Sequence, residues 1–188
     1  MLHDLSARGW RVIIVAVTDG EAAYGRDDSE LVQRLRRVRP LEQSRAVFRL
    51  ARRADIIRVG IPDGAVAACS EALRMALAPI VRSASLLATT WRRDGHPDHE
   101  ATGRVAARVA SDFGVSLTEF PIWAWQWARP ADLPVGQLRT WHMSEDALLA
   151  KPRALRAFTS QIAPFNRLPV LPKHVVARFL RPVEAFFV

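Results

Sequence analysis

The feature of this sequence that most constrains its fold is an alternation of short apolar runs with longer amphipathic segments. Residues 10–17 (WRVIIVAV) have the length and β-branched content of a strand buried on both faces, and they end at a Thr-Asp-Gly turn signal. Further short strands are predicted at residues 56–59 and 85–89, and helices at residues 28–53, 71–79 and 100–113. Strands that alternate with helices of this length predict an α/β fold, in which helices cover both faces of a mostly parallel sheet.

The remainder of the chain continues this pattern. Residues 2–8 are predicted to end a helix, Pro40 to divide residues 28–53 into two helices, and Gly114 to cap the helix at residues 100–113. Strands are predicted at residues 116–123, 138–143 and 184–188, and a helix at residues 145–161. A length of 188 residues favours a single domain over residues 1–188.

Cysteine content and hydropathy narrow the class of protein. The single cysteine, Cys69, excludes an intramolecular disulfide and a Cys-rich zinc module, which fits a reducing compartment. The apolar run at residues 12–17 is far shorter than the roughly 20 residues that cross a bilayer. Pro182 interrupts the basic amphipathic segment at residues 171–187, so we expect that segment to dock on the core. These features predict a cytoplasmic protein without a membrane partner.

The positive net charge of the chain suggests nucleic acid as one class of partner. The formal net charge is +8, and 25 of the 27 basic residues are arginine. Clustered cations neutralise phosphates, but these arginines are spread along the predicted helix faces. We therefore expect no nucleic acid partner, and a basic nucleic-acid-binding domain remains an alternative.

Acidic or histidine-bearing loops follow three of the predicted strands. They are TDGE at residues 18–21, IPDG at residues 61–64 and RRDGHPDHE at residues 92–100. Because ligands of parallel sheets bind beyond the carboxyl ends of the strands, we expect the three loops to converge on one rim. Asp19, Asp63 and Asp94 in these loops are candidate substrate contacts, and each is also a common turn residue.

The third loop has the most specific chemistry. His96 and His99 are three residues apart, and this spacing can place both imidazoles on the same side of a turn. Neutral imidazole is a common zinc ligand, and Asp98 between them could hold an imidazole N–H. An H-x-x-H pattern alone also occurs in surface turns, so the metal site and the turn remain alternatives.

Four motifs together carry a resemblance to a known family. VTDGEA, GIPDG, ATTWRRDGHPDHEATGRVA and FPIWAWQWA resemble, in order and spacing, the PIG-L/LmbE-like family of zinc-dependent N-acetylglucosamine-type de-N-acetylases. The resemblance implies a Rossmann-like fold with one catalytic zinc at the carboxyl rim of the sheet. It implies His99 as a zinc ligand, His96 as the cation that stabilises the oxyanion, and Asp98 as the residue that orients His96.

The resemblance also implies the kind of substrate. It points to a soluble, bacterial-type hydrolase whose partner is a small-molecule amino sugar or related N-acyl conjugate, and which could form a homo-oligomer. Arg39 and Glu42 resemble an Arg and a Glu on the family's second helix, where the Arg reaches a substrate hydroxyl or phosphate. A solvated Arg39 is the alternative.

Three tryptophans follow the fourth predicted strand. Trp123, Trp125 and Trp127 alternate, which in an extended segment would place three indoles on one side. They would form either a sugar-stacking or acyl-binding wall, or a cover for the end of the sheet.

One motif of the family is absent from this sequence. Ala-His-Pro-Asp-Asp-Glu, which follows the family's first strand, carries the other two zinc ligands and the general base. The resemblance therefore implies that the first strand of the sheet is missing. Either Met1 is an internal methionine of a longer protein, or the chain is a truncated relative that is catalytically inactive or a binding module. We favour the first explanation because the remaining site motifs are intact.

Overall fold

The computed structural model describes residues 1–165 and 168–188 and has a mixed α/β architecture, which confirms the predicted fold class. The elements follow in the order α1 (Leu2–Ala7), β1 (Ile13–Ala16), α2 (Ser29–Leu50), β2 (Asp55–Arg58), α3 (Ser70–Val81), β3 (Leu86–Thr90), α4 (Pro97–Phe113), β4 (Ser116–Phe120), α5 (Ala124–Trp127), β5 (Leu138–His142), α6 (Glu145–Leu155), α7 (Thr159–Ile162), α8 (Lys173–Phe179) and β6 (Val183–Phe187). Short 3₁₀ turns at Pro130–Asp132 and Val135–Gln137 lie between α5 and β5.

The chain divides into two compact units. The first consists of Met1–Asp63 and His142–Glu184, and the second of Gly64–Trp141 and Ala185–Val188. The single domain expected over residues 1–188 stays a prediction.

The first unit contains a parallel strand pair and a helical core. β1 pairs in parallel with β2, from Ile13 opposite Asp55 to Ala16 opposite Arg58. α2 contacts both α6 and α7. Small side chains form the buried centre of these contacts, with two larger apolar side chains packed against them: Ala46, Ala154 and Ala157, then Leu50 and Phe158.

Helix α2 is continuous, so the predicted division at Pro40 is wrong. Asp28 caps the helix by accepting a hydrogen bond of 2.9 Å from the backbone N–H of Leu31. Proline removes one helical hydrogen bond, but buried residues continue at helical spacing from Leu35 before Pro40 to Ala46 after it. Burial of this face against neighbouring helices stabilises the helix through the proline.

The longer sheet has the strand order β3-β4-β6-β5, and its strands β3 and β4 lie wholly in the second unit. β3 and β4 are parallel, whereas β4 and β6 are antiparallel. Trp91, Ala124 and Phe187 form a buried cluster in this unit, and the rings of Trp91 and Phe187 lie 4.7 Å apart. This cluster anchors the segment that follows β3 beside the segment that follows β4.

Helix α4 packs closely on β3. A Cβ atom at Gly103 would collide with the carbonyl oxygen of Thr90 and would lie 3.0 Å from Cγ of Arg92. The hydroxyl of Thr90 donates a hydrogen bond of 2.8 Å to the carbonyl of His99. α4 ends at Phe113 and is followed by the cap residue Gly114, which has the left-handed φ of +65° expected of a helix cap. The first turn of α4 is therefore held against the end of β3.

Several boundaries differ from the sequence-based expectations. In the described residues the strands pair as two sheets, whereas one mostly parallel sheet was expected. β4 ends at Phe120, and the predicted helix at residues 145–161 is interrupted between α6 and α7. Pairing of distant strands and short helical breaks both depend on tertiary contacts that local periodicity does not report.

The carboxyl-terminal segment docks on the core, as expected. α8 buries Val175 completely, and β6 buries Phe186 and Phe187. No helix in residues 1–165 or 168–188 is long and apolar enough to cross a membrane.

Candidate functional site

The histidine loop, which we define as residues 92–100, leads from β3 into the first turn of α4 in the second unit. His96 is the N-cap residue of α4 and Pro97 is its first residue, a position that suits proline because its missing N–H has no helical partner. Gly95 has a φ of +82°, which reverses the chain just before the helix. The rings of His96 and His99 stack with centroids 4.4 Å apart and planes at 26°. The expected placement of both imidazoles on one side of a turn is observed.

His99 is held by a carboxylate on the same loop. Nδ1 of His99 lies 2.6 Å from Oδ2 of Asp94, whose side chain is fully buried. Because an ionised carboxylate can only accept hydrogen bonds, Nδ1 of a neutral His99 carries the proton. Nε2 is then the ring nitrogen with a lone pair, which is the arrangement that metal-ligating histidines usually have.

Asp94 also organises the segment after β4. Its Oδ1 accepts hydrogen bonds from the backbone N–H groups of Ile122 (2.8 Å) and Ala124 (3.0 Å), and its Oδ2 accepts one from Trp123 (2.8 Å). Burial raises the pKa of Asp94, but the hydrogen bonds from His99 and the three amides outweigh it, so the pKa lies below its ordinary value. These contacts favour the turn-shaping alternative for Asp94 over a substrate contact.

Asp98 accepts hydrogen bonds from another loop. Its Oδ2 lies 2.6 Å from the backbone nitrogen of Gly64, and its Oδ1 lies 3.3 Å from that of Val66. The side chain is 5% exposed. Asp98 therefore fixes the turn after the IPDG motif, and its expected action on His96 stays a prediction.

The tryptophan segment contains a helical turn, so the three indoles do not line one side as they would in an extended segment. α5 places Trp123 and Trp127 about one turn apart, with Trp125 on a different face. Trp123 meets His96 edge to face at 5.9 Å between centroids, and the indole N–H of Trp127 donates to the carbonyl of Asp94 at 2.9 Å. Two of the three indoles thus contact the histidine loop.

Two of the other candidate residues lie in loops of the first unit, each engaged in a contact. Asp19 forms an ion pair with Arg58. Oδ2 of Asp63 accepts a hydrogen bond of 2.9 Å from the backbone N–H of Ala22, which links the IPDG loop to the TDGE loop. Convergence of all three loops on one rim stays a prediction.

Arg39 is 8% exposed and is therefore not the solvated arginine of the alternative interpretation. Its Nη1 donates to the carbonyl of Gly20, whereas its Nε and Nη2 are buried with no hydrogen-bond partner among the described residues. Burial lowers the pKa of Arg39, and the nearby Asp63, Tyr24, Glu42 and Glu21 oppose that shift. A buried guanidinium with two unsatisfied nitrogens has capacity for further hydrogen bonds.

Glu21 was missed by the sequence analysis. Its side chain is 5% exposed, and its Oε1 accepts hydrogen bonds from Arg36 at 3.0 Å and from the backbone N–H of Asp63 at 3.4 Å. Its Oε2 is buried with no hydrogen-bond partner in the described part of the chain. Its place in the TDGE loop beside Asp19 is the signal that could have found it.

Glu42, which accompanies Arg39 in the sequence, has a different role. It is 1% exposed and accepts hydrogen bonds from the hydroxyl of Thr159 at 2.6 Å, and from the backbone N–H and hydroxyl of Ser160 at 2.7 Å each. These contacts join α2 to the start of α7, so Glu42 is engaged with the protein itself.

The described residues do not fit a complete catalytic zinc site. Such a site normally has three protein ligands with an open position. Within residues 1–165 and 168–188, no group of three or more His, Cys, Asp or Glu side chains is arranged to hold a metal ion. His99 is thus an expected ligand without a full ligand set around it.

Comparisons with known proteins agree on one class. A family model described as PIG-L, GlcNAc-PI de-N-acetylase, matches residues 1–110. The N,N'-diacetylchitobiose deacetylase from Pyrococcus horikoshii, solved with its inhibitor MPG, has a similar structure with a TM-score of 0.70 and 19% identity, over 98% of this chain and 75% of that chain. No curated protein sequence matches the chain.

Two other solved structures are similar. The A40926 pseudoaglycone deacetylase Dbv21 gives a TM-score of 0.63 at 21% identity, over 99% of this chain and 89% of that chain. The zinc-inhibited form of the teicoplanin deacetylase Orf2 gives 0.64 at 14% identity, over 99% and 90%. These TM-scores show that the chain shares the Rossmann-like α/β fold of the three proteins. At identities this low, the similarity shows the fold alone.

Proposed function

Because this chain belongs to the PIG-L family of de-N-acetylases, we propose that it hydrolyses the N-acetyl or a related N-acyl group of an amino-sugar-type substrate. The observation that carries the proposal is the stacked pair of His96 and His99 at the start of α4. Both residues lie within the matched residues 1–110, His96 as the N-cap residue of α4 and His99 in its first turn, just after β3. Loops at this end of a parallel strand pair are where α/β folds place their ligands.

His96 is the residue that we propose to act on the scissile amide. Hydrolysis of an amide passes through a tetrahedral intermediate with a negatively charged oxygen, and a preorganised N–H donor lowers the energy of that state. The ring of His96 is fixed between His99 and Trp123, which supports a preorganised donor. Asp98, fixed by Gly64 and Val66, is proposed to orient His96.

Substrate hydroxyls are proposed to bind in the first unit. Arg39 offers two buried N–H-bearing nitrogens, and Glu21 offers one buried carboxylate oxygen, that make no other hydrogen bond in the described part of the chain. A sugar hydroxyl both donates and accepts, so it suits this combination. Asp19 and Asp63 are proposed as further substrate contacts. An amino-sugar substrate is supported by the structural neighbour from Pyrococcus horikoshii, which is an N,N'-diacetylchitobiose deacetylase.

His99 is the one residue that we propose as a zinc ligand. Nε2 of His99 is the nitrogen that would bind the metal, and bound zinc would supply Lewis acidity and an acidified water. The described side chains do not form a group of three or more that could complete a metal site with His99. Hydrolysis by zinc therefore requires ligands additional to His99 that the described residues do not provide.

The shortage of metal ligands favours one second candidate, a catalytically inactive family member that binds the N-acylated sugar without cleaving it. Arg39 and Glu21 would serve binding equally well in that case. The two candidates differ in whether acetate is released.

The test is to incubate the purified chain, with and without added zinc, with N-acetylglucosamine, N,N'-diacetylchitobiose and N-acetylglucosaminyl inositol. Acetate and free amine are measured, beside zinc content by elemental analysis. The hydrolase proposal expects acetate release that is lost in His99→Ala and kept in His142→Ala, the matched histidine control on β5. The samples with and without zinc measure whether that release needs the metal. Absence of acetate with all substrates would reject hydrolysis, and saturable binding under the same conditions would then support the binding protein.

A further inference from the structure

We propose that Asp94 is a positioning residue that fixes His99 in the Nδ1–H tautomer and, through the same carboxylate, holds the Trp123 segment beside the two histidines. The family resemblance gave Asp94 no such role, and its expected role was a substrate contact. The use of the His99 ring rests on the proposed function, whereas the tautomer and the segment can be measured in the chain alone.

The Asp94 carboxylate has its hydrogen-bonding positions filled. Its two oxygens take part in four short contacts, three from the amides of Ile122, Trp123 and Ala124 and one with Nδ1 of His99. The side chain is fully buried, so water does not compete for these positions. Since a buried carboxylate that is fully hydrogen-bonded is strongly held in place, the ring that it contacts is held with it.

The contacts of Asp94 also determine which ring nitrogen of His99 carries the proton. Oδ2 of Asp94 already accepts the N–H of Trp123 at 2.8 Å, and an ionised carboxylate has no proton to give. The 2.6 Å contact with Nδ1 is therefore a hydrogen bond that His99 donates. Nε2 remains as the unprotonated nitrogen on the opposite side of the ring, available to a ligand.

Asp94 also links the ring of His99 to the segment that carries Trp123. Trp123 meets His96 edge to face, and His96 stacks on His99. The backbone of Trp123 and the ring of His99 both bond to Oδ2 of Asp94. One oxygen thus holds both groups that contact the His96 ring, the Trp123 segment and the His99 imidazole.

The variant Asp94→Asn tests the tautomer. At the Oδ1 position the amide NH₂ of asparagine would face two backbone N–H donors, Ile122 and Ala124. At the Oδ2 position it would face one backbone donor, Trp123, and the ring of His99, which can become an acceptor by changing tautomer. The lower-energy orientation therefore puts NH₂ at Oδ2, where Nδ1 of His99 has to accept a hydrogen bond and the proton moves to Nε2. Asp94→Glu retains a carboxylate and should keep the proton on Nδ1.

The measurement is long-range ¹H–¹⁵N NMR of histidine-labelled chain without metal or substrate, at a pH where imidazole is neutral, with His99→Gln to assign the ring. We expect a protonated Nδ1 and an unprotonated Nε2 in the wild type, the reverse in Asp94→Asn, and the wild-type pattern in Asp94→Glu. Asp112→Asn, at the exposed end of α4, is the matched control and should leave the ring unchanged. An unprotonated Nδ1 or a protonated Nε2 in the wild type, or an unchanged ring in Asp94→Asn, would overturn the proposal.

Amide hydrogen exchange tests the segment independently. Loss of an acceptor should speed exchange of the Trp123 amide by about 10- to 100-fold in Asp94→Asn, and of all three amides in Asp94→Ala. Unchanged exchange in a folded Asp94→Ala would overturn the coupling. If the tautomer and exchange behave as expected while no zinc binds and no acetate is released, the proposed function fails and the role of Asp94 stands.

Discussion

The imidazole rings of His96 and His99 are stacked 4.4 Å apart, although the two residues belong to different parts of the loop-to-helix junction. His96 is the N-cap residue of α4, and His99 lies in its first turn. The helix thus presents two imidazoles side by side, one tied to Asp94 and the other beside Trp123. Because the two imidazoles have different contacts, we assign different roles to His96 and His99, and we expect their substitutions to have different effects.

His96→Ala should lower kcat while leaving substrate affinity nearly unchanged. Removing one donor to an oxyanion lowers turnover by about 100- to 1,000-fold, because the interaction is made in the transition state. Steady-state kinetics on the best substrate of the panel would measure kcat and KM separately. A variant with kcat within a factor of two of the wild type, and of the His142→Ala control, would remove His96 from the proposed chemistry.

Gly95→Ala should destabilise the histidine loop through a specific collision. Its positive φ alone would cost roughly 1 to 2 kcal/mol with any Cβ, and that Cβ would also lie 2.5 Å from Nε1 of Trp127. Gly114→Ala is the matched control, since it has a φ of +65° with nothing within 4 Å. Urea unfolding should show a larger loss for Gly95→Ala, and the indole N–H signal of Trp127 should shift only there. Equal losses with an unmoved indole signal would contradict the collision.

Gly103→Ala should push α4 away from β3. The new Cβ would meet the backbone carbonyl of Thr90, which cannot swing aside as a side chain can. Gly136→Ala, where nothing lies within 4 Å, is the control and should be close to neutral. We expect a lower urea midpoint and shifted His99 signals for Gly103→Ala. A stability equal to that of the control would show that the helix approaches the strand less closely than the structure has it.

The parts of the fold that were predictable are those with a clear local period. The apolar runs at β1 and β3, the helical face of α4 and its Gly114 cap follow from the sequence pattern. The division of the strands between two sheets and the continuity of α2 through Pro40 depend on packing between distant segments. Local pattern has no access to that packing.

The candidate site shows the same limit. His96 and His99 lie on one side of the turn, as their three-residue spacing allows, although the helix was expected to begin only at residue 100 and begins at Pro97. The burial of Asp94 was not predictable, because a turn aspartate can point to solvent or inwards, and the sequence does not distinguish these cases. The helical turn of α5 was missed since four residues are too few to separate a period of two from one of 3.6.

Glu42→Met should destabilise the first unit far more than Glu42→Gln. Methionine has similar length but leaves the N–H of Ser160 and two hydroxyls without their acceptor, at a cost of about 2 kcal/mol or more. Glutamine keeps Oε1 as the acceptor for Thr159 and the Ser160 N–H, and the Ser160 hydroxyl can reverse its hydrogen bond. Urea unfolding of both variants would measure the difference. Equal losses would show that the charge of Glu42, rather than its acceptors, holds α7 to α2.

Glu184 should make stability depend on pH below neutrality. Burial raises the pKa of Glu184, but its hydrogen-bonded and charged partners, Lys151 at 2.8 Å among them, outweigh it, so the pKa is lowered. A carboxyl with a lowered folded pKa stabilises the protein above its unfolded pKa of about 4.3, and that stability is lost as the pH falls through the folded pKa. The urea midpoint of Glu184→Gln should therefore lie below that of the wild type at pH 7, and the gap should shrink towards pH 3. Lys151→Met, which removes one partner, should show a gap of the same sign and pH dependence, whereas a gap independent of pH in both variants would contradict the ion pair as its source.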